Sequence, residues 1–170
     1  RKKFNYLINR EIENAKKGIK AEIIAKMNSL VDPEIIELLY QASKAGVKIS
    51  LIIRGICCLY PKRTGLSENI RVVSIIGHFL EHSRIFWFYN NNSPEAYIGS
   101  ADWMRRNLDR RIEAITPIED IKLKKELYAL LNTYLKDSYC AWEMDSNGNY
   151  SKSQPSKINH AQFELIEKWH

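Results

Sequence analysis

In Glu81-His82-Ser83-Arg84, at the head of the apolar run Ile85-Phe86-Trp87-Phe88, a histidine and an arginine stand two apart. Residues i and i+2 entering a strand face the same way, which would set a titratable nitrogen beside a fixed positive charge. Such a pair suits phosphoryl or phosphodiester chemistry, where the nitrogen gives, takes or attacks and the cation holds the oxygens. Arg54 closes another apolar run, Leu51-Ile52-Ile53, immediately before Gly55. Its planar fork matches two phosphate oxygens. Lys26 and Asn28 lie two apart at the end of a third run, so they would share one face at the sheet edge where α/β folds bind ligands. Gly99-Ser100-Ala101-Asp102 joins close backbone approach to a hydroxyl and free N–H groups, a place to hold an anion. Arg105, Arg106, Arg110 and Arg111 crowd behind it.

Each of these has a plainer reading: a solvated strand-end lysine, an ordinary arginine, a capped helix start with a basic outer face. His78 and His82, four apart, could form half a zinc site, but zinc needs three or four ligands and no further Cys or His cluster is visible. No metal site is expected. Cys57 and Cys58 read as small core residues, since nothing near them in sequence lowers a thiol pKa. What lifts the set above accident is its order, His-x-Arg, a short hairpin, then Gly-Ser-x-Asp at the end of the next strand.

Those residues need elements to hold them, and the chain supplies helices and strands in turn. Its 170 residues, 45% hydrophobic and 27% charged, are the make-up of one globular domain with a real core. Lys and Arg outnumber Asp and Glu by 26 to 20, and the net charge of +6 favours acidic partners without saying which. Three cysteines, two of them adjacent, make a poor disulfide framework and fit a reducing, cytoplasmic setting. No apolar run approaches the roughly 18 residues of a membrane helix, and no signal peptide is recognisable. The chain opens at Arg1 inside a charged, helical-looking segment, which reads as a piece of a longer protein.

Phe4, Leu7, Ile8 and Ile12 predict an amphipathic helix to about residue 17. AEIIAKM predicts a strand. Asp32 as N-cap, Pro33 in the first turn and Gly46 as stop predict a second helix, and KISLIIRG another strand. Strand, helix, strand implies parallel pairing. Further strands are expected at IRVVSII, RIFWFY, EAYIGS and RRIEAITPI, with Asn90 to Pro94 turning a hairpin and a long helix from about Glu119 to Lys136. Residues 146–170 read as a polar tail leading to a short terminal helix.

In this order the residues resemble a half-motif of the phospholipase D superfamily, His-x-Lys, an acidic residue and Gly-Ser-x-Asn, with Arg84 in the lysine's place and Asp102 in the asparagine's. A longer likeness is closer. AKMNSLVDPEIIELLYQASKAGVKISLIIRGICCL, GLSENIRVVSIIGHFLEHSRIFWFYN and IGSADWMRRNLDRRIEAITPI resemble the C-terminal catalytic domain of bacterial polyphosphate kinases, from about Asn9 to Trp142. The resemblance implies a phospholipase D-like α/β fold over residues 1–145, a mixed, mostly parallel sheet flanked by helices. It implies reversible transfer of the terminal phosphate of ATP to inorganic polyphosphate, Mg2+ accompanying ATP, through a phosphohistidine formed on a preceding domain. His82 would then assist as general acid or base and Arg54 would bind the nucleotide's phosphates. Lys26, Asn28, Arg84, Ser100 and Asp102 would lie near the phosphate path, with individual roles open.

Two departures stand out: His78 where the family commonly has arginine, and Arg105 where proline is frequent. The phosphohistidine domain and the magnesium ligands would lie outside this segment, so the chain alone is expected to make no polyphosphate. Its partners would be ATP or ADP, polyphosphate, the remaining domains of a longer chain and further copies of itself, with no nucleic acid and no transmembrane segment. The implied location is cytoplasmic, with peripheral contact to the inner membrane left open. Two rival readings also stay open. A phospholipase D-like phosphodiesterase or nuclease would use His82 as a nucleophile and would be expected to keep lysine and asparagine at positions 84 and 102. A non-catalytic polyanion-binding module would need only the arginines.

Overall fold

Phe4, Leu7, Ile8 and Ile12 fall on one face of helix α1 (Lys2–Lys16) and are buried there, as their spacing predicts. In the computed structural model, which describes residues 1–152 and 159–169, the chain continues into strand β1 (Glu22–Met27), buried along its whole length. Helix α2 (Pro33–Lys44) starts where its sequence says it should: Asp32 accepts the Ile35 N–H at 3.0 Å and Pro33 occupies the first turn. Strands β2 (Lys48–Ile53), β3 (Ile70–Ile75), β4 (Ile85–Phe88), β5 (Glu95–Gly99) and β6 (Ile115–Ile118) follow. Helix α3 (Ile121–Lys136), capped by Asp120, precedes β7 (Ala141–Met144), β8 (Tyr150–Lys152) and helix α4 (Ala161–Trp169).

The eight strands form one sheet in the order β6-β5-β4-β1-β2-β3-β7-β8. Side chains of β1 alternate between its faces. Ile23, Ala25 and Met27 pack with Phe4, Leu7, Leu39, Phe86 and Trp103 under α1 and α2, whereas Ile24 joins Ile52, Trp87, Leu131 and Tyr134 under α3. A strand covered on both sides is apolar on both sides, which is why β1 reads as a nearly continuous hydrophobic run.

Two expectations need correcting. The sheet is mixed, but not mostly parallel: β1–β2 and β2–β3 pair parallel, while the other five pairings are antiparallel. Parallel neighbours need a long crossover, which α2 provides, whereas the short turns after β4 and β7 can return the chain only antiparallel. The strand expected across RRIEAITPI shrinks to Ile115–Ile118: Arg110 closes a single π-helical turn, Arg106–Arg110, and residues 111–114 are neither helix nor strand. Pro117, which has no N–H to give, is tolerated since β6 is an edge strand.

The polar stretch after Met144 also differs from a loose tail. Asp145 accepts the Asn147 and Asn149 N–H groups at 2.8 and 2.9 Å, and Gly148 takes φ +87°, so the chain turns back and adds β8 to the sheet. The rest of that stretch, residues 153–158, lies outside the described residues.

Candidate active site

The sheet brings the ends of four strands to one edge. β1, β2 and β5 finish there and the antiparallel β4 begins there. Their connections are stitched together: Gly55 N–H donates to Asn28 O at 2.7 Å, Leu30 N–H to Ile56 O at 2.9 Å, and Val31 and Asp32 N–H to Trp103 O at 3.0 Å. At Gly55 a side chain would meet Asn28 O at 3.0 Å, so this close approach favours glycine.

On that edge runs a continuous line of polar contacts. Arg54 Nε donates to Asn28 Oδ1 at 3.0 Å. Asn28 donates through its backbone N–H and its Nδ2 to Asp102 Oδ1, at 2.9 and 3.2 Å. Arg84 Nε donates to the same oxygen at 3.0 Å, and Arg84 Nη1 reaches His82 Nδ1 at 3.2 Å and donates to His82 O at 3.0 Å. Asn28 and Asp102 are buried, Arg54 and Arg84 half-buried, and His82 is exposed at the end of the line. One carboxylate therefore carries three donors and aims two guanidinium groups and an imidazole along one edge.

The tautomer of His82 follows from its partner. A guanidinium has only donors, so Nδ1 must accept, which leaves the proton on Nε2 pointing away from Arg84. No other partner of the His82 ring occurs among the described residues.

Lys26 and Asn28 have different surroundings. Lys26, 1% exposed, lies beneath the edge: Nζ pairs with Glu81 Oε2 at 3.0 Å, donates to Ser83 Oγ at 2.8 Å and sits 4.9 Å from the centre of the Tyr134 ring. Burial pushes its ammonium below the ordinary value, and the Glu81 carboxylate opposes that push. Ser100 Oγ binds the Glu113 carboxylate and accepts the Ala114 N–H at 3.1 Å, closing the β5–β6 connection. It does not touch the His82 line. The four arginines from 105 to 111 are exposed, as a solvated basic face would be. Cys58 is exposed and Cys57 half-buried, so the core reading of that pair fails for Cys58, which sits in the loop after β2 with its backbone N–H bound to Leu30 O.

Sequence reasoning passed over Glu81, Ser83, Tyr134 and Gln162, which hold the loop that carries His82. Glu81 and Ser83 could have been noticed as neighbours of His82; Gln162 is 80 positions away and carries no local signal.

Cations have little to bind at this edge. Asp102 Oδ1 is saturated by its three donors and Oδ2 faces Arg84 at 3.5 Å, while Glu81 is committed to Lys26 and Gln162. These residues do not fit a Mg2+ site, which wants free oxygens. Elsewhere Asp137, Cys140 and His160 place ligand atoms within 4.8 Å of one another. Their existing bonds argue against a metal. Asp137 accepts from the N–H groups of Cys140, Ala141 and Ala161, and His160 Nδ1 accepts the Phe163 N–H at 3.5 Å, which leaves Nε2 protonated and facing Cys140 Sγ at 3.8 Å. No helix among the described residues is long and apolar enough to cross a membrane.

Comparison with known proteins adds an independent line. The model of a family described as "Polyphosphate kinase C-terminal domain 2" matches residues 1–163. A polyphosphate kinase of Prochlorococcus marinus (strain MIT 9313) is 61% identical over 172 residues, covering 99% of this chain and 24% of that protein. The crystal structure of polyphosphate kinase from Porphyromonas gingivalis superposes with a TM-score of 0.93 at 44% identity, over 96% of this chain and 26% of that one. Nuc from Salmonella typhimurium, a phospholipase D family member, shares the fold at a TM-score of 0.53 and 16% identity, over 84% of this chain and 89% of that one. The chain spans about a quarter of the length of the curated relatives it matches.

Proposed function

This chain belongs to the polyphosphate kinase C-terminal domain family, and from that premise we propose that it is one part of an ATP:polyphosphate phosphotransferase, with His82 as the residue that meets the moving phosphoryl group. Phosphoryl transfer asks a protein for charge neutralisation, in-line placement and a partner for the leaving oxygen, and for little covalent chemistry. Arg54 and Arg84 supply fixed positive charge on one edge. Arg84 directs the Nε2–H of His82 outward, where it donates to a phosphate oxygen as charge develops on it. Lys26 supports the loop of His82 from below, Asn28 and Asp102 orient the two arginines, and Ser100 shapes the β5–β6 connection behind them.

A single observation carries this over the nuclease reading: Arg84 Nη1 lies 3.2 Å from His82 Nδ1. A histidine nucleophile needs an unprotonated Nε2, and hence a proton on Nδ1 held by an acceptor such as a carboxylate. Arginine enforces the opposite tautomer. In this reading the phosphohistidine forms on a part of a longer chain outside this segment. Mg2+ would come with ATP and would be held by the nucleotide and by residues outside this edge, and the segment alone should make no polyphosphate. Copies of the full protein assemble in the cytoplasm.

The test is made in the full-length enzyme. His82→Ala should lower polyphosphate synthesis from ATP by roughly 10²–10³ in kcat, the usual cost of losing one positioned donor, with polyphosphate binding retained. His82→Gln, which keeps an N–H, should retain more activity than His82→Ala. Unchanged synthesis in His82→Ala would remove His82 from the mechanism. Cleavage of a diester substrate by the intact enzyme would favour the nuclease instead, and polyphosphate binding without any turnover the binding module.

A further inference from the structure

His82 sits in a connection, residues 76–84, that contains neither helix nor strand. Burial does not hold its middle in place, because Phe79 and Leu80 are 56% and 71% exposed. What holds it is a side chain from the far end of the chain. Gln162, in α4 and 4% exposed, acts toward Phe79 as a neighbouring strand would: its Oε1 accepts the Phe79 N–H at 3.1 Å and its Nε2 donates to Phe79 O at 2.8 Å. The same Nε2 donates to Glu81 Oε1 at 2.6 Å. Glu81 passes the restraint to Lys26 and Lys26 to Ser83, so Phe79, Glu81 and Ser83 are tethered in alternation around His82.

Two further features fit a latch. Gly77 leaves room for the amide, since a side chain there would lie 2.4 Å from Gln162 Oε1 and 2.7 Å from Cys140 Sγ. The His78 ring lies 5.9 Å from that of His160 and 5.4 Å from that of Phe163, two α4-end rings that themselves stand 4.2 Å apart. The helix itself is anchored to the end of α3, with Ala161 N–H donating to Asp137 Oδ2 at 2.7 Å.

We propose that Gln162 is a positioning residue for phosphoryl transfer: through Phe79 and Glu81, α4 latches the loop that presents His82. This rests on the reading of His82 given above. Gln162 need not touch substrate, so its loss should disturb the chemical step more than binding, as small misplacements of a catalytic group do.

In the full-length enzyme, Gln162→Leu should lower kcat about 10-fold to 100-fold while the KM for ATP changes less than about twofold. Backbone amides of residues 77–84 should exchange with deuterium faster, and those of β1 and β2 should not. Gly77→Ala, which displaces the amide from the loop side, should give the same exchange signature and keeps the test open should Gln162→Leu fold poorly. Unchanged exchange over 77–84 in a folded variant overturns the latch, and faster exchange with unchanged kcat overturns the positioning role. Were the parent enzyme to make no polyphosphate, the proposed function would fall, and with it the role in transfer, while the exchange result would still decide whether Gln162 holds the loop.

Discussion

Asp102 is the residue on which the orientation of the site depends, and its substitutions have separable costs. Its Oδ1 accepts from the Asn28 N–H at 2.9 Å, Asn28 Nδ2 at 3.2 Å and Arg84 Nε at 3.0 Å. Asp102→Ala leaves all three donors without that partner, and Arg84 loses its counter-charge. Removing one partner of a buried pair costs about 3–5 kcal/mol; water still reaches Arg84, whose side chain is 15% exposed, so the lower end, about 3 kcal/mol, applies. With a urea slope of about 2 kcal/mol/M, the unfolding midpoint should fall by roughly 1.5 M. Asp102→Asn can keep an oxygen in place for the same three donors; it loses charge assistance and the long 3.5 Å contact of Oδ2 with Arg84 Nη2, where its NH2 would stand instead. Bonds to charged groups exceed neutral ones by about 1 kcal/mol, so its midpoint should fall by roughly 0.5 M. Urea unfolding of the two variants followed by circular dichroism makes the comparison. Equal losses, or a greater loss in Asp102→Asn, would refute the claim that one accepting oxygen organises this edge.

The buried pair beneath the loop should behave as a unit: Lys26→Met alone should cost about 3–5 kcal/mol by stranding Glu81, and adding Glu81→Gln should recover more than about 1 kcal/mol of it in a double-mutant cycle. Glu143 titrates against a cost of burial, but Lys62 and Arg71 outweigh that cost and hold its carboxyl below the ordinary 4.5. Its folded pKa being depressed, its contribution is present above pH 4.5 and lost as pH falls below it through the folded pKa, so Glu143→Gln should flatten the acid limb of the stability curve. Polyphosphate binding by the full-length enzyme should weaken steeply with salt, log Kd rising linearly with log salt concentration as cations on the polymer are displaced. An affinity independent of salt would argue against a charged edge as the binding surface.

Much of the fold is legible in the residues because its signals are local. The spacing of Phe4, Leu7, Ile8 and Ile12 marks α1, and Asp32, Pro33 and Gly46 punctuate α2. β8 was missed because its partner is another strand rather than its own pattern: Tyr150–Lys152 look polar, and pairing with β7 makes them a strand. The balance of parallel and antiparallel pairing was misjudged for a related reason, since one strand–helix–strand unit says nothing about which strands join its outer sides.

By itself the sequence determined which groups are present, which of them stand two apart on a strand, and to which family the whole pattern belongs, because these depend on residue type and short-range geometry. Only the tertiary structure decided how they divide the work. It sent Asn28 to Asp102 and Lys26 beneath the loop to Glu81, although both stand at the end of one strand. It turned Ser100 toward Glu113, and it brought Gln162 across 80 residues to the loop of His82. The physical reason is burial. A polar group taken out of water must find its partner in whatever the packed sheet and helices place beside it, and that neighbour is set by the fold, not by the order of the chain.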